Sequence, residues 1–176
     1  MKTNIFFIST VSTLLIIVAH SCEEQKEPTL PSETQTGAHT LGCYVNGNLF
    51  VASSLKATYW YTGSSLGDMQ LDVSVSAKNE SLSFIIMNPE ENLKQSMESV
   101  YYYKNKYSYW GDNVGSIIFT SLDTLNLIVS GTFEFDLSYH TPTLFPDKKP
   151  PQVKRVKITR GRFDIKMKYL PRHELR

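Results

Sequence analysis

Met69-Gln70-Leu71-Asp72-Val73-Ser74-Val75-Ser76 sets an apolar residue against a polar or charged one four times in succession. A period of two is the signature of a β-strand with one face buried and the other wet, because successive side chains leave a strand on opposite sides. The same rhythm returns on both sides of this stretch. Gly42-Cys43-Tyr44-Val45 and Leu49-Phe50-Val51-Ala52 flank Asn46-Gly47-Asn48, and Asn-Gly predicts a hairpin because both positions tolerate positive φ. Lys56–Thr62, Ser81–Met87, Val100–Tyr103, Gly115–Ser121, Asn126–Ser138 and Val153–Tyr169 complete the set. Asn88-Pro89-Glu90-Glu91 predicts the one short helix, with an Asn cap, Pro at the first position and acids in the first turn. About nine strands on short connections imply an all-β domain, a single antiparallel β-sandwich or partly closed barrel. A parallel α/β sheet is excluded, since it would need a crossover helix between successive strands.

Composition agrees with a packed domain. Of 176 residues, 41% are hydrophobic and 20% charged, with 9 Gly and 8 Pro, too apolar for bulk disorder and too poor in Gly and Pro for a fibrous chain. Eighteen basic residues face seventeen acidic ones. That balance gives the molecule as a whole no charge with which to seek a polyanion or a polycation.

The first 21 residues read as a secretory signal peptide: Lys2 supplies the positive start and Ile5–Ala19 an apolar run. The run is short for a membrane span and is broken by Ser9, Thr10, Ser12 and Thr13. It ends in Val18-Ala19-His20-Ser21-Cys22, which resembles a bacterial lipobox, with His20 as its departure from the usual pattern. The resemblance implies that Cys22 is acylated and becomes the new N-terminus. Acyl chains hold a domain on a membrane without a protein span, at about 0.8 kcal/mol per buried CH₂. Glu23 and Glu24 resemble the signal that sends such lipoproteins to the outer face of the outer membrane. Acylation of Cys22 would leave Cys43, the other of two cysteines, without a disulfide partner, and an apolar, alternating setting assigns Cys43 to the core. Residues 22–40 read as a flexible tether, since Glu23–Thr40 holds one aliphatic residue, Leu30, two prolines and otherwise polar or small residues. The β domain occupies 41–170, and 171–176 forms a tail.

Thr36-Gly37-Ala38-His39-Thr40-Leu41-Gly42-Cys43-Tyr44-Val45-Asn46-Gly47, Ser130-Gly131-Thr132-Phe133-Glu134-Phe135 and Ile158-Thr159-Arg160-Gly161-Arg162-Phe163-Asp164 together resemble a family of short Bacteroidetes lipoproteins classed as a domain of unknown function. The likeness spans nearly the whole mature chain. It implies a lipid-anchored surface protein, and no activity or site residue comes with it.

The chain carries few of the patterns that catalysis requires. Gly63-Ser64-Ser65-Leu66-Gly67 has the spacing of a nucleophile elbow, but a strand rather than a helix follows, so the motif reads as a turn. His39, His140 and His173 fall in tether, loop and tail, and a metal needs ligands converging from rigid elements. Glu134 and Asp136 share a strand face, the kind of placement a glycosidase pair requires, but Phe133, Phe135 and Leu137 take the opposite face and turn the acids toward water. The sequence therefore points to no catalytic residue, metal or cofactor. A non-catalytic binding or structural module is favoured over a barrel-type carrier of a small apolar ligand and over a surface hydrolase acting on glycans. An apolar cavity would favour the carrier, and convergent acids in a cleft the hydrolase.

Three stretches could carry binding or modification. Tyr101–Trp110 holds six aromatic residues, with Tyr59-Trp60-Tyr61 adding three; rings with polar handles suit sugar or protein surfaces, and Tyr107, Tyr109 and Trp110 are the candidate ligand contacts. Asp123-Thr124-Leu125 matches a short bacterial O-glycosylation pattern at Thr124. Lys148–Arg176 holds eleven basic and two acidic residues. Antiparallel pairing of the strand ending at Ser138 with the one from Val153 would set Glu134 and Asp136 beside Arg162, Lys166 and Lys168. Lys148, Lys149, Lys154, Arg155 and Arg172 would remain as an anion patch. Partners are thus the membrane, through the N-terminal lipid, and a glycan or surface protein. Nucleic acid is excluded by export.

Overall fold

The computed structural model describes residues 29–62, 68–105, 107–139 and 154–170. The signal segment, Cys22, the Gly63–Gly67 motif, His140, His173, Lys148, Lys149, Arg172 and the tail lie outside them. Ten strands follow in chain order: β1 (Thr40–Val45), β2 (Asn48–Val51), β3 (Ser54–Tyr61), β4 (Met69–Ala77), β5 (Glu80–Met87), β6 (Lys94–Lys104), β7 (Tyr107–Asp123), β8 (Ile128–Tyr139), β9 (Arg155–Lys166) and β10 (Lys168–Leu170). They form one sheet in the order β10-β3-β4-β5-β6-β7-β8-β9-β1-β2, antiparallel at every pair except β10 with β3.

Both ends of this ladder converge on β3. At one end β10, which continues β9 after Met167, pairs with Thr58–Trp60. At the other, β2 runs into β3 through Ala52 and Ser53 alone. The sheet thus wraps around one interior, as the alternation predicts: Leu71, Val73 and Val75 of β4, Leu82, Phe84 and Ile86 of β5, and Phe133, Phe135 and Leu137 of β8 all point inward and are buried. Phe84, Phe133 and Phe163 meet at centroid distances of 5.4–6.3 Å at the centre. Cys43 is buried among them, its thiol pushed up to about 12 by burial and then by the nearby Glu80 carboxylate, the inert state its setting predicts.

The predicted helix at Asn88 does not form, and no helix occurs among the described residues. Asn88 adopts φ 46°, outside the extended range an N-cap needs. Its amide side chain accepts from the Met69 N–H at 2.9 Å, extending β4 instead. Its carbonyl, which would accept the first intrahelical bond, takes the Gln95 side-chain amide at 2.9 Å, and Gln95 Oε1 accepts from the Glu90 N–H at 2.8 Å.

Candidate functional site

The outer face of β6–β9 carries three features in succession along β7. At one end is the aromatic cluster. In the β6–β7 register Tyr101 faces Trp110, Tyr102 faces Tyr109, and Lys104 faces Tyr107. Tyr102 and Tyr109 point inward and are buried, with rings 6.0 Å apart, and Tyr107 packs against the same core. Tyr101 and Tyr103 are 47% and 46% exposed, and Trp110 stacks on Tyr101 at 6.2 Å and 30°. The three expected contacts are therefore divided: Trp110 is on the outside, while Tyr107 and Tyr109 belong to the interior. Tyr101 and Tyr103 take their place. Once pairing turns Tyr102 inward, alternation turns both its neighbours out. The cross-strand neighbours of these rings are small: Ser83 opposite Tyr101, Ser81 and Ser108 opposite Tyr103, and Ser138 opposite Trp110. Beside Tyr103 a depression of about 370 Å³ is lined by Ser76, Lys78, Asn79, Glu80, Ser81 and Asn105. The second aromatic stretch is not part of this surface: Tyr59 packs on the core and Trp60 donates to Asp72 at 3.3 Å.

Further along β7 the ladder is irregular on every side. Between Trp110 and Ser116, β7 spends two more residues than β8, and between Val114 and Ile117 one more than β6. Gly115 makes this bulge feasible with φ 66°; a Cβ there would lie 2.2 Å from the Glu134 carbonyl oxygen. Beside it, β9 bulges at Thr159–Arg160 against both β8 and β1, with Arg160 at φ 53°. Bulges bend a strand and re-aim side chains, and here they open a groove. Two depressions of about 330 and 460 Å³ share Lys94, Ser116 and Glu134; the first adds Glu33, Arg160 and Arg162, the second Asp136 and Lys157.

The same bulge corrects the expected charge pairing. β8 and β9 do pair antiparallel, but Asp136 meets Arg155 in a two-pronged bond of 3.0 and 3.2 Å rather than Arg162 or Lys166. Arg155 therefore leaves the anion patch, and Lys168 lies on β10 opposite Thr58. Lys154 is exposed, while the remaining patch residues are outside the described chain.

At the far end lies a clasp that the sequence offers no hint of. Residues 31–38, read as tether, cross the outer face of β1 and β9. Pro31 packs over Gly42, Glu33 pairs with Arg162 at 3.0 Å, and Gln35 donates to the Thr120 carbonyl at 2.8 Å. Asp164 holds the segment. Its carboxylate accepts from the Thr34 hydroxyl at 2.5 Å, the backbone N–H groups of Thr36, Gly37 and Ala38 at 2.8–3.1 Å, the Thr36 hydroxyl at 3.3 Å and the Ser130 hydroxyl at 2.7 Å. Gly37 turns the chain with φ 71° so that consecutive N–H groups converge on one anion. Burial opposes the charge on Asp164, yet the donors, led by Thr34 and Ser130, hold its carboxyl well below the usual range.

The interior holds one cluster of buried apolar side chains. Among the described residues no three His, Cys, Asp or Glu side chains are placed to hold a metal ion. Thr124 is exposed at the tip of the β7–β8 turn, where Asp123 accepts from the Leu125 and Asn126 N–H groups at 3.0 and 2.9 Å. Comparison with protein-family models, with curated proteins and with solved structures finds no match to this chain.

Proposed function

We propose that this chain is an exported, lipid-anchored protein of the outer membrane, facing the cell exterior, and that it is a non-catalytic module that binds a glycan on the outer face of β6 and β7. The anchor rests on the charged start at Lys2, the apolar run Ile5–Ala19 and the lipobox-like ending at Cys22, followed by Glu23 and Glu24. The likeness to short Bacteroidetes lipoproteins points the same way.

One observation carries the binding reading: Tyr101 and Tyr103 stand half-exposed beside the Trp110 ring, on a strand face whose cross-strand neighbours are serines. Serines leave the ring faces proud of the sheet and surround them with hydroxyls. Aromatic faces take the C–H side of a sugar ring while hydroxyls and amides, here Asn79 and Asn105, take its polar edge. Exposed apolar rings grouped on one face are otherwise costly in a soluble domain.

Glycan-array binding of the full chain tests the site. Tyr101→Ala/Tyr103→Ala should weaken the best-bound neutral glycan about tenfold or more, with the melting temperature nearly unchanged. Undiminished binding would remove the site. In the same strain background, Cys22→Ala should move the protein from the membrane fraction to the soluble one, and equal retention would refute the anchor.

A further inference from the structure

The groove beyond the aromatic rings has a composition that the rings do not explain. Among the described residues, Arg155 and Arg162 are paired with Asp136 and Glu33, but Lys94, Lys157 and Arg160 have no carboxylate within 4 Å. They stand around Ser116 and the single unpaired acid, Glu134. Arg160 reaches this rim only through a left-handed backbone, φ 53°, a conformation that costs a non-glycine residue about 1 kcal/mol. Its guanidinium lies 5.5 Å from the centre of the Tyr44 ring, which steadies the charge without neutralising it. A strained residue that holds an unpaired cation at the edge of a concavity built from two bulges suits a site for an anion.

We infer that this groove binds the acidic groups of a glycan, carboxylate or sulfate, as part of the same ligand whose sugar rings lie on Tyr101 and Tyr103. The two surfaces follow one another along β7: Trp110 and Ser116 pair with Ser138 and Glu134, four residues apart on β8, about 13 Å at the rise of a strand. That distance exceeds one sugar unit, so the ligand is a chain of sugars rather than a single one. The mixed lining fits it: cations for the acid, Ser116 and Glu134 for ring hydroxyls. A flat anionic membrane could not follow the floor of a groove between bulged strands. The inference takes the ligand's class from the glycan reading above, but it fails separately from that reading.

The test is binding of the full chain in detergent to polygalacturonate, to heparin and to neutral dextran. Acidic polymers should bind more tightly than dextran and lose affinity as salt rises. Lys94→Gln/Lys157→Gln should lower affinity for the acidic polymers about tenfold and leave dextran unchanged. Arg160→Gly suits the same backbone and so keeps the fold while removing the charge; it should weaken acidic binding in the same selective way, whereas Arg160→Lys should retain most of it. Tyr101→Ala/Tyr103→Ala should weaken all three polymers. Equal affinity for acidic and neutral polymers, or acidic binding untouched by the groove variants, would overturn the groove assignment and leave the aromatic site standing. Absence of binding to any polymer would overturn both. Groove-dependent capture by vesicles rich in anionic lipid, with no acidic glycan bound, would overturn the choice of ligand.

Discussion

Asp164 faces outward on β9 and yet is only 1% exposed, because six hydrogen bonds from Thr34, Thr36, Gly37, Ala38 and Ser130 close over it. Every one of these groups donates, so the site asks for an acceptor-only side chain. Asn cannot comply. Whichever oxygen its NH₂ replaced, at least one backbone N–H, Gly37 at Oδ1 or Thr36 and Ala38 at Oδ2, would face another donor. Asp164→Asn should therefore cost about 2–4 kcal/mol at neutral pH. The carboxyl is held low in the folded state and returns to its ordinary value, about 3.9, in the unfolded one. Its contribution is thus complete above that ordinary value and is lost as pH falls below it toward the depressed folded value. Urea titrations of both proteins should show a gap that is constant above about pH 5 and narrows below about pH 4; a gap unchanged in acid would refute the account. None of this was legible in the sequence. An acid between Arg162 and Lys166 on an alternating strand reads as one more solvated charge, and its donors lie 34 residues away at Ser130 and 126–130 residues away in the clasp, where no local pattern reaches.

Single strands were legible, and so were their faces, wherever period two ran unbroken. β4 and β8 follow it throughout their apolar halves. It failed where the chain departs from regular pairing. The bulge at Thr159–Arg160 lets Val156 and Ile158 point inward and, three residues after Ile158 instead of two, Gly161, Phe163 and Ile165 as well; a pattern read as one continuous alternation misplaces every charge on one side of it. The aromatic strands show the same limit more mildly. Consecutive tyrosines carry no alternation of their own, so pairing, not sequence, decides which is buried. It chose Tyr102, whose hydroxyl donates to Glu80 at 2.5 Å while Lys104 pairs with the same carboxylate at 2.6 Å. Burial, with the Glu80 bond second, pushes the Tyr102 phenol upward, away from ionisation. Tyr102→Phe keeps the ring in place between β6 and β7 and removes only this donor, so it should destabilise by about 1.5–3 kcal/mol. Chemical denaturation would measure that; a loss near zero would mean that Lys104 alone satisfies Glu80.

At the scale of the molecule, all-β character and antiparallel neighbours followed from short connections and repeated alternation. The manner of closure did not. That both ends of the sheet meet at β3, one through the parallel strand β10, depends on how far the ladder curls, which bulges and twist decide together. The clasp over Asp164 was likewise invisible, since its segment is polar and owes its order to a partner rather than to apolar burial. In the anchored arrangement proposed above, that clasp sets where mechanical load enters the protein. Only eight residues lie between Cys22 and Pro31, a reach of about 30 Å from one to the other at full extension. A pull on the anchor would meet Pro31, Arg162 and Asp164 before it met β1, loading side-chain bonds at the surface instead of the ladder beneath. These should part first and free the next nine residues, to Thr40, adding about 30 Å of slack. Drawn from its N-terminus in optical tweezers, the protein should lengthen by that step before the sheet opens, and Asp164→Asn should lower the force of the step alone. A single unfolding event would show that anchor and sheet share the load. Under that anchored arrangement the carboxylate that closes the outer face would act as a fuse, releasing a loose end so that the domain keeps its shape under drag.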